Sequence, residues 1–331
     1  MQTVSYSCII WGGQKEKGEM EMIEVQNLSK TFNKVTAVAD INLYLDEGES
    51  IGLLGPNGAG KSTTISMIST LLPPTKGTIK YNGKDAVKDP SELRRDLGVI
   101  PQEIALYSEL SAYENMKFFG RIYGLSGKKL ENKIQENLEL VGLKDRQKES
   151  VDTYSGGMKR RINIAVALMH DPGILIMDEP TVGIDPQSRN YILDMIRDLN
   201  YKKGLTVLYT SHYMEEVEKL CDRVYIMDRG EIIASGTKDE LKSILSNEDT
   251  VKIKVKERND KFKDILSEQP GINRIYEEKS GYNLVIPRGE QVLGEVFDAA
   301  GKFEVEILGA DIQKPTLEDV FLHLTGRKLR D

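Results

Sequence analysis

The stretch GPNGAGKST contains a glycine-rich loop that ends in a lysine and a serine. Gly55, Gly60, Lys61 and Ser62 match the spacing G-x-x-x-x-G-K-[ST], directly after the apolar run SIGLL and before a helical pattern. Small residues there let backbone N–H groups converge on phosphate oxygens, and the N-terminus of the following helix adds partial positive charge. Lys61 can then reach the β- and γ-phosphates of a nucleotide, and Ser62 can bind Mg²⁺.

This loop therefore predicts a nucleoside triphosphate site. A simple glycine turn between strand and helix is the alternative, but a chance match to the motif in this length is on the order of 1%. The residues expected to contact the nucleotide are Gly55, Pro56, Asn57, Gly58, Ala59, Gly60, Lys61, Ser62 and Thr63.

Two adjacent acids follow a second apolar run, ILIM, at its carboxyl end. Ligand sites in α/β proteins form at such strand ends. Asp178 suits the coordination shell of Mg²⁺, and Glu179 can polarise an attacking water. An acidic cap between strand and loop is the alternative interpretation.

Two further polar residues follow apolar runs. His212 comes after TVLYTS, and we expect it to contact a γ-phosphate; an ordinary loop histidine is the alternative. Gln102, in GVIPQE, carries an amide that can contact Mg²⁺ or water, although nothing in its local sequence selects this role.

The elements that must position these residues alternate along the chain. Short strand patterns run from residue 23 to 81, a helix-rich segment covers 91–150, and buried strands such as GILIMD and RVYIMD alternate with helices afterwards. This order indicates an α/β core with a largely parallel sheet. Residues 1–21 are expected to form a poorly ordered extension.

The composition limits the class of protein. The chain has 331 residues, 39% of them hydrophobic and 29% charged, and a net charge of −7, so we expect no nucleic-acid partner. Its two cysteines, Cys8 and Cys221, provide no disulfide framework, which suits a reducing cytoplasm. No apolar run approaches the roughly 18 residues that a membrane helix needs.

Five segments, GPNGAGKST, VIPQ, YSGGMKRR, ILIMDEPTVGIDP and TSHYMEE, stand in the order expected of ATP-binding cassette (ABC) ATPases, which the chain resembles. The resemblance implies a P-loop NTPase cassette over residues 22–242, with a RecA-like core, an antiparallel β subdomain and a helical subdomain. It implies ATP and Mg²⁺ as ligands, with Lys61, Glu179 and His212 acting in hydrolysis. Ser62, Gln102 and Asp178 are the implied metal contacts.

The same resemblance adds two residues to the nucleotide site. Asp185 lies in the loop after the acidic pair, and Phe32, in KTFNKVTA, is implied as an aromatic platform for adenine. A buried core aromatic is the alternative for Phe32.

The segment YSGGMKR begins a helix with two glycines, which each cost up to about 1 kcal/mol of helix propensity relative to alanine. In ABC ATPases this helix faces the γ-phosphate bound to another cassette, so that two nucleotides lie between two cassettes. Its N-terminal N–H groups form an anion site, Ser155 offers a hydroxyl, and Gly156 and Gly157 leave room for phosphate. The resemblance therefore implies a second cassette, either a copy of this chain or a homologue. Tyr154 departs from the common leucine, either as in one exporter group or as a packing variant.

The chain resembles the transport members of the family. Between Gln102 and the family's signature segment, YSGGMKR at residues 154–160, there is room for a compact helical insert, which in transporters receives a coupling helix from a separately encoded membrane permease. The tail PTLEDVFLHLTGRKLRD resembles that of bacterial exporters of the drug-resistance and sodium-extrusion group. This resemblance implies export, with the subunit bound at the inner face of the cell membrane. The alternative is a soluble ABC ATPase that regulates ribosomes or nucleic acid.

Residues 243–331 are predicted to form a small α+β accessory or regulatory domain. Their pattern reads β-α-β-β-α-β plus a helix, which is typical of a ferredoxin-like fold. Its last strand is expected at residues 303–308.

Overall fold

The computed structural model describes residues 22–245, 248–313 and 315–326. The chain divides into two compact units, the first running to Lys238 and the second beginning at Asp239. The predicted extension at 1–21 lies outside the described residues. The boundary expected between residues 242 and 243 falls inside a helix, α8 (Lys238–Ser243), which opens the second unit.

An antiparallel sheet begins the first unit. Its strands are β1 (Ile23–Phe32), β2 (Val35–Leu45), β4 (Lys76–Tyr81) and β5 (Lys84–Asp85), in the order β2-β1-β4-β5. Ile23 and Val25 of β1 are buried and Gln26 is exposed, because successive side chains point to opposite faces of a sheet; a register shift after Val25 then returns Leu28 to the buried face. The predicted antiparallel β subdomain is confirmed.

The second sheet of this unit is mostly parallel and lies in the core. Its strands are β3 (Ser50–Leu54), β6 (Leu97–Ile100), β7 (Ile174–Met177), β8 (Thr206–Ser211), β9 (Arg223–Asp228) and β10 (Glu231–Thr237). Their order is β10-β9-β3-β8-β7-β6, and only β10 runs antiparallel to its neighbour among these described strands. Every residue of β3, β7 and β8 is buried, which explains their unbroken apolar character. The carboxyl ends of β3, β7 and β8 therefore lie side by side at one edge.

Helices surround this sheet and form a separate insert. They are α1 (Lys61–Ile68), α2 (Ser91–Asp96), α3 (Ala112–Ile122), α4 (Gly127–Leu140), α5 (Gly156–Ala167), α6 (Pro186–Lys203) and α7 (Met214–Leu220). Helices α3, α4 and α5 pack against one another. The buried Asn137 side chain of α4 donates to the carbonyl of Ala165 in α5 at 3.1 Å. The predicted helical subdomain is thus present between β6 and β7.

The second unit is a ferredoxin-like domain. After α8 come β11 (Glu248–Val255), α9 (Asp260–Ser267), β12 (Arg274–Glu278), β13 (Gly281–Pro287), α10 (Leu293–Lys302), β14 (Ile307–Gln313) and α11 (Leu317–Thr325). The strands pair antiparallel in the order β12-β13-β11-β14. Phe262, Leu284 and Val296 are fully buried in its core. The predicted β-α-β-β-α-β order is confirmed.

The last strand of this unit begins later than the sequence predicts. Backbone N–H groups of Phe303 and Val305 bond to carbonyls of Ala299 and Ala300, so these residues close α10. The strand expected at 303–308 therefore starts at Ile307. In the part of the chain that the structure describes, no helix is both long and apolar enough to cross a membrane.

Candidate active site

The glycine-rich loop, residues 55–60, connects β3 to α1, and Ser62 and Thr63 lie in the first turn of that helix. Asn57 and Gly58 are exposed, whereas Ala59 is buried and its carbonyl accepts from Gly230 N–H at 2.9 Å. Gly60 has φ 103°, and a Cβ there would lie 2.6 Å from the carbonyl oxygen of Ala37 in β2. A side chain at residue 60 is therefore excluded by both backbone conformation and packing.

Lys61 is held at the loop by three contacts. Its Nζ donates to the carbonyl oxygens of Gly55 at 2.8 Å and Pro56 at 3.1 Å. Glu179 Oε1 lies 3.0 Å from the same nitrogen, and only 4% of the Lys61 side chain is exposed. The loop and the acid after β7 are thus joined by one ammonium group.

Glu179 also contacts His212, the residue predicted to bind the γ-phosphate. Its second oxygen, Oε2, lies 3.1 Å from His212 Nδ1. The three residues proposed for hydrolysis from sequence, Lys61, Glu179 and His212, therefore lie together at the carboxyl ends of β3, β7 and β8. One carboxylate connects the other two groups.

Thr210 organises the acidic pair, and sequence reasoning missed it. Its hydroxyl donates to Asp178 Oδ1 at 2.8 Å and accepts from the backbone N–H of Glu179 at 2.8 Å. Thr210 is fully buried, two residues before His212 in β8. In the sequence, the signal for this role is a threonine at the end of the strand that pairs with β7. It can be recognised only once β7 and β8 are known to be neighbours.

The backbone of Glu179 is unusual. Its φ is 44°, in the left-handed region that an L-residue other than asparagine or aspartate rarely adopts. Such a conformation costs of the order of 1–3 kcal/mol and persists where surrounding contacts require it. The turn sends Glu179 toward Lys61 and His212, while Asp178 bonds to Thr210.

Gln102 is positioned through its backbone. The buried Arg160 of α5 donates to the carbonyl of Pro101 at 2.6 Å and also to that of Gln102. Burial lowers the pKa of the Arg160 guanidinium. Gln102 itself is exposed. Just before this loop, the carbonyl of Ile100 accepts a hydrogen bond from Asp178 N–H at 2.9 Å. The signature helix thus fixes the loop that carries Gln102.

The two signature glycines have different surroundings. Ser155 caps α5, its hydroxyl accepting from Met158 N–H at 3.3 Å, and both Ser155 and Gly156 are exposed. Gly157 is buried, and a Cβ there would lie 2.2 Å from Ser188 Oγ and 2.4 Å from Ser188 Cβ. The sequence interpretation that both glycines leave room for phosphate is incomplete, because packing against α6 already requires glycine at 157.

Asp185 lies beside this helix start. Its carboxylate caps α6 by accepting from Ser188 N–H at 2.9 Å, and this backbone bond, with one from the Ser188 side chain, lowers the pKa of Asp185. Since Ser188 contacts Gly157, the loop of Asp185 and the signature helix are adjacent in the same chain. Within residues 22–245, no hydrogen bond or ion pair joins Ser155 or Gly156 to Lys61, Glu179 or His212.

Tyr154 has a packing role. It is 4% exposed, and its hydroxyl donates to the carbonyl of Arg146 at 2.6 Å. The Arg146 guanidinium lies 5.5 Å from its ring centroid. A tyrosine here ties the start of the signature to the preceding 3-10 turn, Lys144–Arg146, which a leucine lacks the hydroxyl to do.

Phe32 is not a core aromatic. It ends β1 with 43% exposure, and Lys30 Nζ lies 5.3 Å from its ring centroid. It pairs with Val35, in the hairpin whose second strand contacts Gly60 through Ala37. The alternative of a buried core side chain is therefore wrong, because Phe32 is exposed at the end of β1.

Comparisons with known proteins agree with this geometry. Residues 38–182 match the family described as ABC transporter, and residues 236–325 match the family described as ATP-binding protein DrrA1-3-like, C-terminal domain. The chain is 47% identical to the linearmycin resistance ATP-binding protein LnrL of Bacillus subtilis, over 94% of this chain and 100% of that protein. It is 36% identical to the daunorubicin/doxorubicin resistance ATP-binding protein DrrA of Streptomyces peucetius, over 93% and 94% of the two chains.

A solved structure is similar as well. The dimeric, post-hydrolysis ATP-binding cassette MJ0796 bound to ADP and Pi superposes with a TM-score of 0.61 and 27% identity, covering 65% of this chain and 98% of that one. Since LnrL is matched along its whole length, the relationship extends beyond the cassette to the second unit. The chain therefore belongs to the ATP-binding proteins of ABC transporters, as a nucleotide-binding subunit that hydrolyses ATP and carries a DrrA-like C-terminal domain.

Proposed function

We propose that this subunit exports a drug-like small molecule through a separately encoded membrane permease, using ATP bound between two cassettes. The observation that carries the proposal is the carboxylate of Glu179, which connects Lys61 of the phosphate loop to His212. Export of antibiotics is supported by the relatives, which are named for resistance to linearmycin and to daunorubicin and doxorubicin. No specific observation favours the alternative of a soluble regulator.

The nucleotide is proposed to lie on the phosphate loop with adenine against Phe32. Exposed backbone at Asn57 and Gly58, followed by the N-terminus of α1, provides donors for phosphate oxygens. The Lys61 ammonium is bonded there to two neutral carbonyls. Phosphate oxygens are stronger partners for an ammonium, so a nucleotide can replace these contacts.

Mg²⁺ fits the oxygen donors at this site. Ser62, Asp178 and Gln102 are the residues we propose to hold it, and Mg²⁺ typically takes one or two protein carboxylates together with substrate phosphates. The ion would neutralise charge on the β- and γ-phosphates.

Glu179 is proposed to polarise the attacking water. Its backbone is fixed by Thr210, and its carboxylate is 8% exposed between a lysine and a histidine. Removal of water from around such a group strengthens its electrostatic effect on developing charge. His212 is proposed to hold this carboxylate and to contact the γ-phosphate.

The second half of each site is proposed to come from another cassette. Ser155 and Gly156 are exposed at the N-terminus of α5, and Asp185 lies on the same surface through Ser188. In a two-fold dimer the same patch serves both subunits, so each signature can face the nucleotide of the other chain. The similar cassette MJ0796 is described as dimeric.

Glu179→Gln tests both the site and the dimer. This substitution removes the proposed base and preserves shape, so ATP should persist and hold two chains together. Sedimentation with ATP and Mg²⁺ should show a dimer, and Lys61→Ala added to Glu179→Gln should return it to monomer. Monomer alone with the single variant, at full nucleotide occupancy, would contradict the sandwich for the isolated chain.

The permease is proposed to dock on the helical insert. Tyr107, Phe118 and Ile122 are 47%, 41% and 63% exposed, and Tyr107 stacks edge-on with Phe118 at 5.0 Å. Phe118 and Ile122 lie on one surface of α3 together with Glu114, Lys117 and Arg121. This exposed apolar surface follows the Gln102 loop and is proposed to receive a coupling helix, which would place the subunit at the inner face of the membrane. For the second unit we propose an accessory or regulatory role.

A further inference from the structure

Glu216 of α7 is a buried acid outside the residues assigned above. It is 2% exposed, and its carboxylate oxygens are surrounded by hydroxyl donors. The Thr181 hydroxyl lies 2.7 and 2.8 Å from the two oxygens. Tyr209 and Ser211 each donate to Oε2 at 2.8 Å. These donors satisfy the hydrogen-bonding capacity of the buried carboxylate.

These donors lie in the two segments that carry the proposed catalytic groups, the loop after β7 and the end of β8. Thr181 follows Glu179 by two residues, and Ser211 directly precedes His212. The Ser211 hydroxyl also accepts from the backbone N–H of Tyr213 at 2.8 Å, so residues on both sides of His212 are fixed. One rigid carboxylate thereby sets the distance between the two segments.

Arg189 of α6 extends this arrangement. Its Nε lies 3.4 Å from Glu216 Oε1, and its guanidinium lies 4.7 Å from the ring centroid of Tyr213. The Tyr213 ring is 4.2 Å from that of His212. Helix α6, which contacts the signature segment through Ser188, is therefore also linked to His212.

The Tyr209 hydroxyl is a dependable donor in this cluster. Burial, followed by the nearby Glu216 carboxylate, raises the pKa of Tyr209 well above its ordinary value. Its proton is therefore retained throughout the range in which the protein works, and the bond to Glu216 persists.

We infer that Glu216 is a positioning residue for ATP hydrolysis, which holds the segments of Glu179 and His212 at the separation their contact requires. This inference rests on the catalytic roles proposed for those two residues. Glu216 touches neither of them; it acts through Thr181 and Ser211. If either hydroxyl loses its bond to Glu216, one of the two segments can move. The 3.1 Å contact between Glu179 and His212 is then broken for part of the time.

Thr181→Val and Thr181→Ser form a matched pair that tests the inference. Valine keeps the shape and removes the donor, whereas serine keeps the donor and removes a methyl group. A hydrogen bond to a charged group corresponds to a change of about tenfold or more, so kcat should fall about tenfold in Thr181→Val. KM for ATP and nucleotide affinity should stay within about twofold, and Thr181→Ser should retain wild-type kcat within the same margin.

A general structural role would give a different pattern. It would lower the thermal midpoint of both variants without separating their kcat values. Wild-type kcat in folded Thr181→Val and in Ser211→Ala would overturn the inference. Because Glu216→Gln alters the buried charge itself, it serves as a second variant, for which we expect the same loss of kcat at unchanged nucleotide affinity.

Glu179→Gln and His212→Ala are assayed in parallel to separate the two proposals. If these variants hydrolyse ATP at the wild-type rate, the proposed catalytic roles fail. If they lose activity while Thr181→Val and Glu216→Gln keep it, the positioning role of Glu216 alone fails.

Discussion

At the scale of single residues, Glu179 has one oxygen 3.0 Å from Lys61 and the other 3.1 Å from His212. Its position depends on Thr210, which bonds to its backbone and to the carboxylate of Asp178. The left-handed φ of 44° separates the two adjacent acids, so that one can serve the metal and the other the water. The different roles that we propose for the two neighbouring carboxylates therefore follow from backbone geometry.

His212→Ala should lower kcat about a hundredfold, the scale of a positioned acid–base or charge-stabilising group. Nucleotide affinity should be unchanged, because the contacts that hold residues 55–61 to one another do not involve His212. Steady-state phosphate release and nucleotide-binding titrations provide the measurements. His323→Gln, in the second unit, is the control, and equal activity of the two variants would refute the role of His212.

At the scale of elements, the start of α5 does two things. Its exposed face, with Ser155 and Gly156, presents the helix N-terminus, and its buried face, with Gly157, packs on Ser188 of α6. The cost in helix propensity is thus offset in two ways. One glycine keeps the surface open, and the other lets two helices approach closely.

Gly157→Ala should destabilise the chain by about 1–3 kcal/mol, the usual cost of overpacking. Its Cβ would lie 2.4 Å from Ser188 Cβ, so a helix must shift. Gly156→Ala is the matched control, since a Cβ there meets only Ile184 Cδ1 at 3.7 Å. We expect it to fold normally, with weakened ATP-dependent dimerisation. Denaturant unfolding and sedimentation distinguish the two, and equal stability of both variants would contradict the packing argument.

At the scale of the whole molecule, the first unit combines the phosphate site with an exposed apolar surface on α3. Large exposed apolar patches on soluble domains mark interaction sites. Arg160 of α5 donates to the carbonyls of Pro101 and Gln102, in the loop that precedes α3. A permease bound beside this loop would therefore contact a segment already tied to the signature.

Phe118→Asp with Ile122→Asp should abolish co-purification with the membrane permease that we propose as the partner of this chain. ATP hydrolysis by the isolated subunit should be unchanged. In the described residues, neither Phe118 nor Ile122 is bonded to Lys61, Glu179 or His212. Tyr201→Asp, at a residue that is 89% exposed on α6, is the control. Retention of the permease by the double variant would exclude this surface.

The sequence by itself determined the motifs that are continuous in the chain: the phosphate loop, the acidic pair, the signature and the alternation of strands and helices. These follow from local backbone requirements and from the periodicity of buried side chains. The β-α-β-β-α-β order of the second unit was also predictable, although the start of β14 was not, because closing contacts of α10 use Phe303 and Val305.

Only the tertiary structure decided which distant residues meet. The strand order β9-β3-β8-β7 places Thr210 against Asp178 and joins Glu216 to Thr181, and chain order does not reveal these neighbours. Packing of α5 on α6 requires glycine at residue 157, because a Cβ there would meet Ser188. The physical reason is that a local pattern specifies which face of an element is buried, whereas the contacts across that face depend on which elements come to lie beside it.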